Sequence, residues 1–261
     1  MKGLVEGKVA FVSGVGPGMG RDISLLLAEH GADVVLGART VERCDIIAKE
    51  VRALGKRALT VRLDVTDEAS CQAAVEAAVD EYGFVDILVN NAFHDGTFRR
   101  FLDAPPDEWR GTFDVNLWGT LRLTHHVAQV MREHGGGRIV MVNSMSAVRI
   151  EERFGAYSAS KAALAAATKT LAKELGRFGI RVNGVYPGYI WGESVEQYFH
   201  HLADRRGITF DEQYRSVASQ TALGYLPHSS EIAGAILFLA SDLAKPITGQ
   251  ALHVNAGHWM P

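Results

Sequence analysis

The sequence predicts an α/β protein: a doubly wound parallel sheet of about seven strands with helices on both faces, in a single domain. Short β-branched apolar runs alternate with longer amphipathic stretches along almost the whole chain. The first of these runs is followed at once by a glycine-rich turn that opens a helix. The 261 residues, 47% hydrophobic and 22% charged, suffice for one large core, and no internal repeat, low-complexity tract or Pro/Ser linker divides them.

In order, Lys8 to Ser13 reads as the first strand, and the glycine-rich turn after it leads into a helix running to about His30. Asp33 to Ala38 is the second strand and Val41 to Leu54 an amphipathic helix. Ala58 to Leu63 is the third strand, followed by a helix over about 67–82. Val85 to Asn90 and Arg138 to Asn143 are the fourth and fifth strands, separated by a long helix over about 107–134. A helix over about 156–178 precedes the sixth strand, Arg181 to Val185. A seventh lies near Leu252-His253-Val254, after a helix that starts around Ser230. Such alternation places ligands at the carboxyl ends of the strands. The stretch from about 189 to 227 leaves the sheet there and reads as a helical substrate lid.

Composition removes several classes of function. A formal net charge of -3 offers no basic field to nucleic acid. Apolar runs such as Ile232 to Ala240 are too short to span a bilayer, and Met1 to Gly7 has no apolar signal core. Cys44 and Cys71 both fall in predicted helices and form no CxxC pair, so a reducing, cytoplasmic setting is expected. His125-His126 and His200-His201 diverge on their helices with no carboxylate at ligand spacing, so no metal is expected.

Ser13-Gly14-Val15-Gly16-Pro17-Gly18-Met19-Gly20 stands between the first strand and the first helix. Glycines permit the tight turn and let a pyrophosphate approach the backbone at a helix N-terminus, the arrangement of a Rossmann dinucleotide site. Pro17 is tolerated at the start of a helix. At the end of the second strand a carboxylate would bind ribose hydroxyls and repel a 2′-phosphate. This chain has Gly37-Ala38-Arg39 instead. A guanidinium bonds phosphate well, which favours NADP(H), with NAD(H) as the alternative; Arg39 could equally stack on adenine or lie in solvent.

Tyr157 and Lys161, four apart in Tyr-Ser-Ala-Ser-Lys, share one side of a helix. A free phenol, with a pKa near ~10, trades protons poorly at neutral pH. A nearby ammonium favours the phenolate, which would make Tyr157 a usable general acid/base.

With these residues in view, the chain from Lys8 to Val254 resembles the short-chain dehydrogenase/reductase family in its standard one-domain branch. The resemblance is carried by Gly14, Gly18 and Gly20, Asp64 in Leu63-Asp64-Val65, Asn90-Asn91-Ala92, Asn116, Ser144, Tyr157 with Lys161, and Pro187-Gly188. It implies that Tyr157 is the proton donor/acceptor to the substrate oxygen and that Ser144 hydrogen-bonds the same oxygen, although Ser146 is a nearby competitor. Lys161 would lower the tyrosine pKa and bind the nicotinamide ribose, and Asn116 would hold a water linking the lysine to solvent. The cofactor would lie along Gly14, Gly16, Gly18, Met19 and Gly20. It would meet Asp64 and Val65 at the adenine, Asn91 and Ala92 in the ribose region, and Pro187, Gly188 and Ile190 at the nicotinamide. Asp64 could also simply cap the turn that follows it. The family implies a homo-oligomer, a tetramer, built on the two long helices predicted at 107–134 and 156–178; Ala162 to Ala167 would suit either close helix contact or packing on the sheet.

The chain departs from the family pattern at Phe93, where a glycine is usual, at Gly192, where a threonine often stands, and at Asn255-Ala256-Gly257. Phe93, His94, Met145, Tyr189, Trp191 and Tyr198 are candidates to line an apolar pocket for a cyclic or otherwise lipophilic alcohol or ketone. The aromatics of the lid stretch could instead pack its helices onto the body. The expected activity is an alcohol dehydrogenase/carbonyl reductase. The alternatives are epimerisation or dehydration on the same fold, or a catalytically silent cofactor sensor.

Overall fold

The computed structural model describes residues 3–260. Among them, seven strands form one parallel sheet: β1 (Val9–Ser13), β2 (Asp33–Ala38), β3 (Ala58–Arg62), β4 (Ile87–Asn90), β5 (Gly137–Val142), β6 (Ile180–Pro187) and β7 (Ala251–Val254). Their order across the sheet is β3-β2-β1-β4-β5-β6-β7. The helices are α1 (Met19–Glu29), α2 (Val41–Ala53), α3 (Glu68–Tyr82), α4 (Trp109–Phe113), α5 (Thr120–Glu133), α6 (Gly155–Leu175), α7 (Glu193–Arg206), α8 (Phe210–Ala218) and α9 (Ser229–Ala240). None is long and apolar enough to cross a membrane.

Successive side chains of a strand point to opposite faces. Ala10 and Val12 of β1 therefore enter one apolar cluster, and Val9 and Phe11 the other. Strand β5 divides the same way, Val140 and Val142 against Ile139 and Met141. Helices α1, α2 and α9 close the first face through Ile23, Ile47 and Ile232, while α3, α5 and α6 close the second through Val75, Leu123 and Leu164. Both faces are dry, so the strands read as unbroken apolar runs. Cys44 and Cys71 are buried, one in each cluster, and unpaired. A smaller third cluster, Phe199, Val217, Ala218 and Leu226, joins α7 to α8 and takes in Trp191, Phe210 and Tyr214.

One predicted element is not uniform. In place of a single α-helix over 107–134, α4 and α5 are joined by a turn of π-helix, Asp114–Gly119. Within it Asn116 is completely buried, and a Cβ on Gly119 would lie 2.7 Å from Val65 Cγ2. The wider turn accommodates both contacts.

Sequence order runs from β1 outward to β2 and β3, then returns to place β4 on the other side of β1, which leaves a crevice between the ends of β1 and β4. Gly14 and Val15 N–H both donate to the Gly37 carbonyl, at 2.9 and 3.1 Å, and turn the chain sharply out of β1. The Asn91 amide donates to the Gly14 carbonyl at 2.8 Å and ties the two strand ends together.

Gly14 has φ 76°, and a Cβ there would lie 2.5 Å from both Ala92 Cα and Ala92 N. Gly14→Ala should combine left-handed strain with overpacking and lower folding stability by about 2–4 kcal/mol. Gly18 also has positive φ, 88°, but a Cβ would meet nothing within 4 Å, so Gly18→Ala should lose only the strain, about 1–2 kcal/mol. Urea titrations of the two variants check this: equal midpoints would mean that the contact with Ala92 relaxes freely.

Candidate active site

The crevice opens into a cleft of about 890 Å³. The turn from Gly14 to Gly20 forms one wall, and α1 begins at Gly18 with no side-chain oxygen capping it. A Cβ on Gly16 or Gly18 would meet nothing within 4 Å, so bare backbone faces the cleft there, with Met19 beside it. A Cβ on Gly20, in contrast, would lie 2.7 Å from the Gly14 carbonyl oxygen, so glycine is needed for the turn to close. Uncapped N–H groups beside bare peptide make a cradle for an anion. Asn91 Oδ1 is buried without a partner among the described residues, and Ala92 lines the cleft next to it.

At the far end lie Ala38, Arg39, Asp64 and Val65. Asp64 Oδ1 accepts from Thr66 N at 3.0 Å and Thr66 Oγ1 at 2.7 Å. These bonds, with Arg39 and Arg62 adding positive charge, hold its carboxyl below the usual range. Asp64 thus caps its turn and lines the cleft as well. Arg39 is exposed, and Arg43, four residues on in the first turn of α2, lines the same end. The reading of the sequence did not name Arg43, although its spacing from Arg39 was the available signal. Arg21, also in the cleft, is consumed by ion pairs with Glu50 and Asp22.

Tyr157 sits in the first turns of α6 and lines both this cleft and a smaller cavity of about 180 Å³. Lys161 follows one helical turn later, buried, its Nζ 5.8 Å from the tyrosine ring centroid and donating to the Val142 carbonyl at 2.8 Å. Burial lowers the Lys161 pKa to about 7. The Tyr157 phenol is pushed up by burial, pulled back by the Ser144 hydroxyl and pushed up again by Asp95. The sequence led us to expect a phenol lowered by the ammonium. In the chain by itself desolvation outweighs that, because both groups sit in the same low-dielectric wall and Nζ is spent on a carbonyl.

Ser144, just past β5, is buried, and its Oγ accepts from Ser146 N at 3.1 Å. Both serines line the small cavity. Asn116 donates through Nδ2 to the His94 carbonyl at 2.8 Å and to Ser160 Oγ at 2.9 Å, and its Oδ1 accepts from His94 N at 2.7 Å. Ser160 in turn donates to the Tyr157 carbonyl at 2.8 Å. Both hydrogens of its side-chain amide are therefore taken. Asn116 clips the loop after β4 to the tyrosine turn of α6.

The small cavity is floored by the buried Met145 and by Pro187, which does not reach the cleft, whereas Gly188 and Ile190 do. Phe93 and Tyr189 line both spaces, and His94 lines only the cleft. Trp191 faces the cleft on one side and packs edge-on against Tyr214 on the other, centroids 4.8 Å apart. Tyr198 corrects the sequence reading: it lines neither space and is 47% exposed on α7, while its neighbour Phe199 takes the buried position. Phe199, Phe210 and Tyr214 pack α7 and α8 against each other, in a cluster apart from the two that flank the sheet. Asp95, Glu151 and Phe154 also line the small cavity and were not foreseen; they come from irregular segments with no periodicity to mark them. Among the described residues no three His, Cys, Asp or Glu side chains gather to hold a metal.

Comparison with known proteins gives a consistent result. A family model described as enoyl-(acyl carrier protein) reductase matches residues 14–258. The chain is 38% identical over 259 residues to an L-rhamnose 1-dehydrogenase (NAD(P)(+)) of a Sphingomonas species, covering 98% of both chains. It is similar to a short-chain type dehydrogenase/reductase from Mycobacterium marinum, at 31% identity and TM-score 0.85, covering 98% of this chain and 97% of the other. It also superposes on a carveol dehydrogenase from Mycobacterium avium in complex with NAD, at 30% identity and TM-score 0.92, covering 98% of this chain and 99% of the other.

The depressed pKa of Lys161 makes a stability prediction. Between about 7 and the ordinary 10.5 the unfolded chain holds a proton on this lysine that the folded chain does not. Its contribution to stability is therefore full above the upper value and lost as pH falls to the lower one. Lys161→Met should remove that dependence and raise the melting temperature of cofactor-free protein at pH 6, by about 2–4 °C per kcal/mol recovered. Calorimetry at pH 6 and pH 9 checks this, and a variant that melts lower at both would show that the buried lysine is net stabilising.

Proposed function

This chain belongs to the short-chain dehydrogenase/reductase family and is an NAD(P)-dependent oxidoreductase acting on alcohols and ketones; from that premise we propose that it interconverts a cyclic or otherwise lipophilic secondary alcohol and its ketone, with NADP(H) preferred. The observation that carries the reading is Tyr157, whose side chain is common to the cofactor-sized cleft and the small cavity. The chain is read as one domain whose segment 189–227, bearing α7 and α8, is the substrate lid.

The cleft fits a dinucleotide. Glycine backbone bare of Cβ atoms and the uncapped start of α1 suit a pyrophosphate, and the orphaned Asn91 Oδ1 suits a ribose hydroxyl. A bound nicotinamide supplies or accepts the hydride. Gly188 and Ile190 would flank it, and Asp64 and Val65 the adenine. Ser144 orients the substrate oxygen and Tyr157 exchanges a proton with it at the phenol oxygen, stabilising the charge that develops there. Lys161 would hold ribose hydroxyls and bring positive charge near the phenol, and Asn116 keeps the tyrosine turn in register. The phenol, protonated at neutral pH at its ordinary value and pushed further up by burial, stands ready as a proton donor, which suits ketone reduction. Alcohol oxidation should therefore speed up as pH rises.

The cofactor preference rests on Ala38, which offers no carboxylate, and on Arg39 with Arg43, two guanidiniums free of ion pairs among the described residues. A homotetramer is the proposed assembly. Trp118, 52% exposed at the π turn, and the exposed Ala162 and Ala166 on α6 support contact between copies along these helices.

Three measurements test these statements. Tyr157→Phe should lower kcat by about 10²–10⁴-fold with little change in cofactor affinity; near-normal turnover would refute the assignment. Arg39→Ala and Arg43→Ala should each weaken NADPH binding by about 10-fold or more and NADH binding far less, by fluorescence titration. Losses equal for both cofactors would remove the NADP(H) preference. Light scattering at micromolar concentration should give four times the chain mass, and a monomeric mass would exclude the assembly.

A further inference from the structure

The cavity beside Tyr157 carries more charge than carbonyl chemistry needs. Four aromatic rings wall it, those of Phe93, Phe154, Tyr157 and Tyr189, and two carboxylates, Asp95 and Glu151, line it with no lysine, arginine or histidine. The carboxylates differ in their surroundings. Glu151 pairs with Arg149 at 3.0 Å, outside the lining. Asp95, at the exposed mouth of the cavity, has no ion-pair or hydrogen-bond partner for its carboxylate among the described residues.

An acceptor-only carboxylate matches a donor-only ammonium, and the faces of aromatic rings attract cations. An anionic substrate would be repelled here. A polyol could use the hydroxyls of Ser144, Ser146, Tyr157 and Tyr189, but it would bring no charge to balance Asp95 and nothing for the ring faces to attract. The volume suits a single ring: about 180 Å³, partly open to the outside, compares with the ~150 Å³ that accommodates a benzene ring.

We propose, resting on the oxidoreductase reading above, that the substrate carries a protonated or quaternary amine: a ring-sized amino alcohol or amino ketone whose cation lies among the aromatic rings and faces Asp95. In the reductive direction the carbonyl carbon gains hydride from the reduced nicotinamide, its oxygen gains the Tyr157 proton, and the nitrogen keeps its charge throughout. The cation also removes an obstacle. An unpaired carboxylate beside the phenol opposes its ionisation, and Asp95 does push the Tyr157 pKa upward. A cation bound at Asp95 cancels that effect, so the proper substrate leaves more of Tyr157 as the phenolate that accepts a proton than a neutral alcohol of the same shape does.

The test is a pair of alcohols alike in shape and different in charge, 4-hydroxy-1,1-dimethylpiperidinium and 4,4-dimethylcyclohexanol. Oxidation is followed with NADP⁺, and binding to the NADP⁺-loaded protein is followed by calorimetry. Wild type should favour the cation by about 10-fold or more in kcat/KM and in affinity. Asp95→Asn should abolish that preference, raise kcat/KM for the neutral alcohol and move the alkaline rise of its pH profile to lower pH. Asp95→Glu should retain the preference, and Glu151→Gln should weaken it less, since Arg149 already balances that charge. A preference near unity that is indifferent to Asp95→Asn overturns the proposal while leaving the redox reading intact. Asp95-dependent binding of the cation without turnover of either alcohol sustains an amine site and overturns the proposal that its occupant is the substrate. Absence of any binding preference overturns the proposal.

Discussion

At the switch point of the sheet the backbone of Gly14 lies so close to that of Ala92 that no side chain fits between them. That approach brings the ends of β1 and β4 together, and the arrangement of the site follows from it. The Asn91 amide can reach the Gly14 carbonyl only across this gap, and the loop leaving β4 then delivers His94 to Asn116. Asn116 passes the constraint on through Ser160 to the carbonyl of Tyr157. The glycine-rich turn and the tyrosine are far apart in sequence, yet a short series of hydrogen bonds to backbone groups connects them.

The second governing feature is dryness. Tyr157 and Lys161 are both driven toward their uncharged forms by burial, one upward and the other down to about 7. Without ligands, Asp95 and Glu151 are the charged side chains of the cavity that Tyr157 walls, and a charge bound there acts on the same phenol. The ionisation of the tyrosine is thus set jointly by the protein and by what it binds.

The sheet was legible because its strands are buried on both faces. Runs such as Val34-Val35-Leu36 have no other use in a protein of this composition, and the turns between them are marked by glycine. The tyrosine–lysine pair and the glycine-rich turn were legible because helix spacing and left-handed backbone impose fixed residue patterns. Asp95, Glu151 and Phe154 were not, since irregular loops impose none, and Arg43 was hidden among ordinary surface charges of a helix. Tyr198 and Phe199 show the limit of composition. Both are aromatic neighbours on α7, and only the phase of the helix against α8 determines which one is buried.

The π turn between α4 and α5 carries a consequence of its own. A π turn is equivalent to one residue inserted into an α-helix, so the helix beyond it is out of phase with the helix before it. The same stretch shortened by one residue could run as an unbroken α-helix with its ladder intact. It would then carry Asn116 around the helix axis, away from His94 and Ser160. The insertion is therefore a permanent offset in the helix, kept by three hydrogen bonds to a single amide side chain. Stabilising this helix by regularising it would work against the active site that it supports.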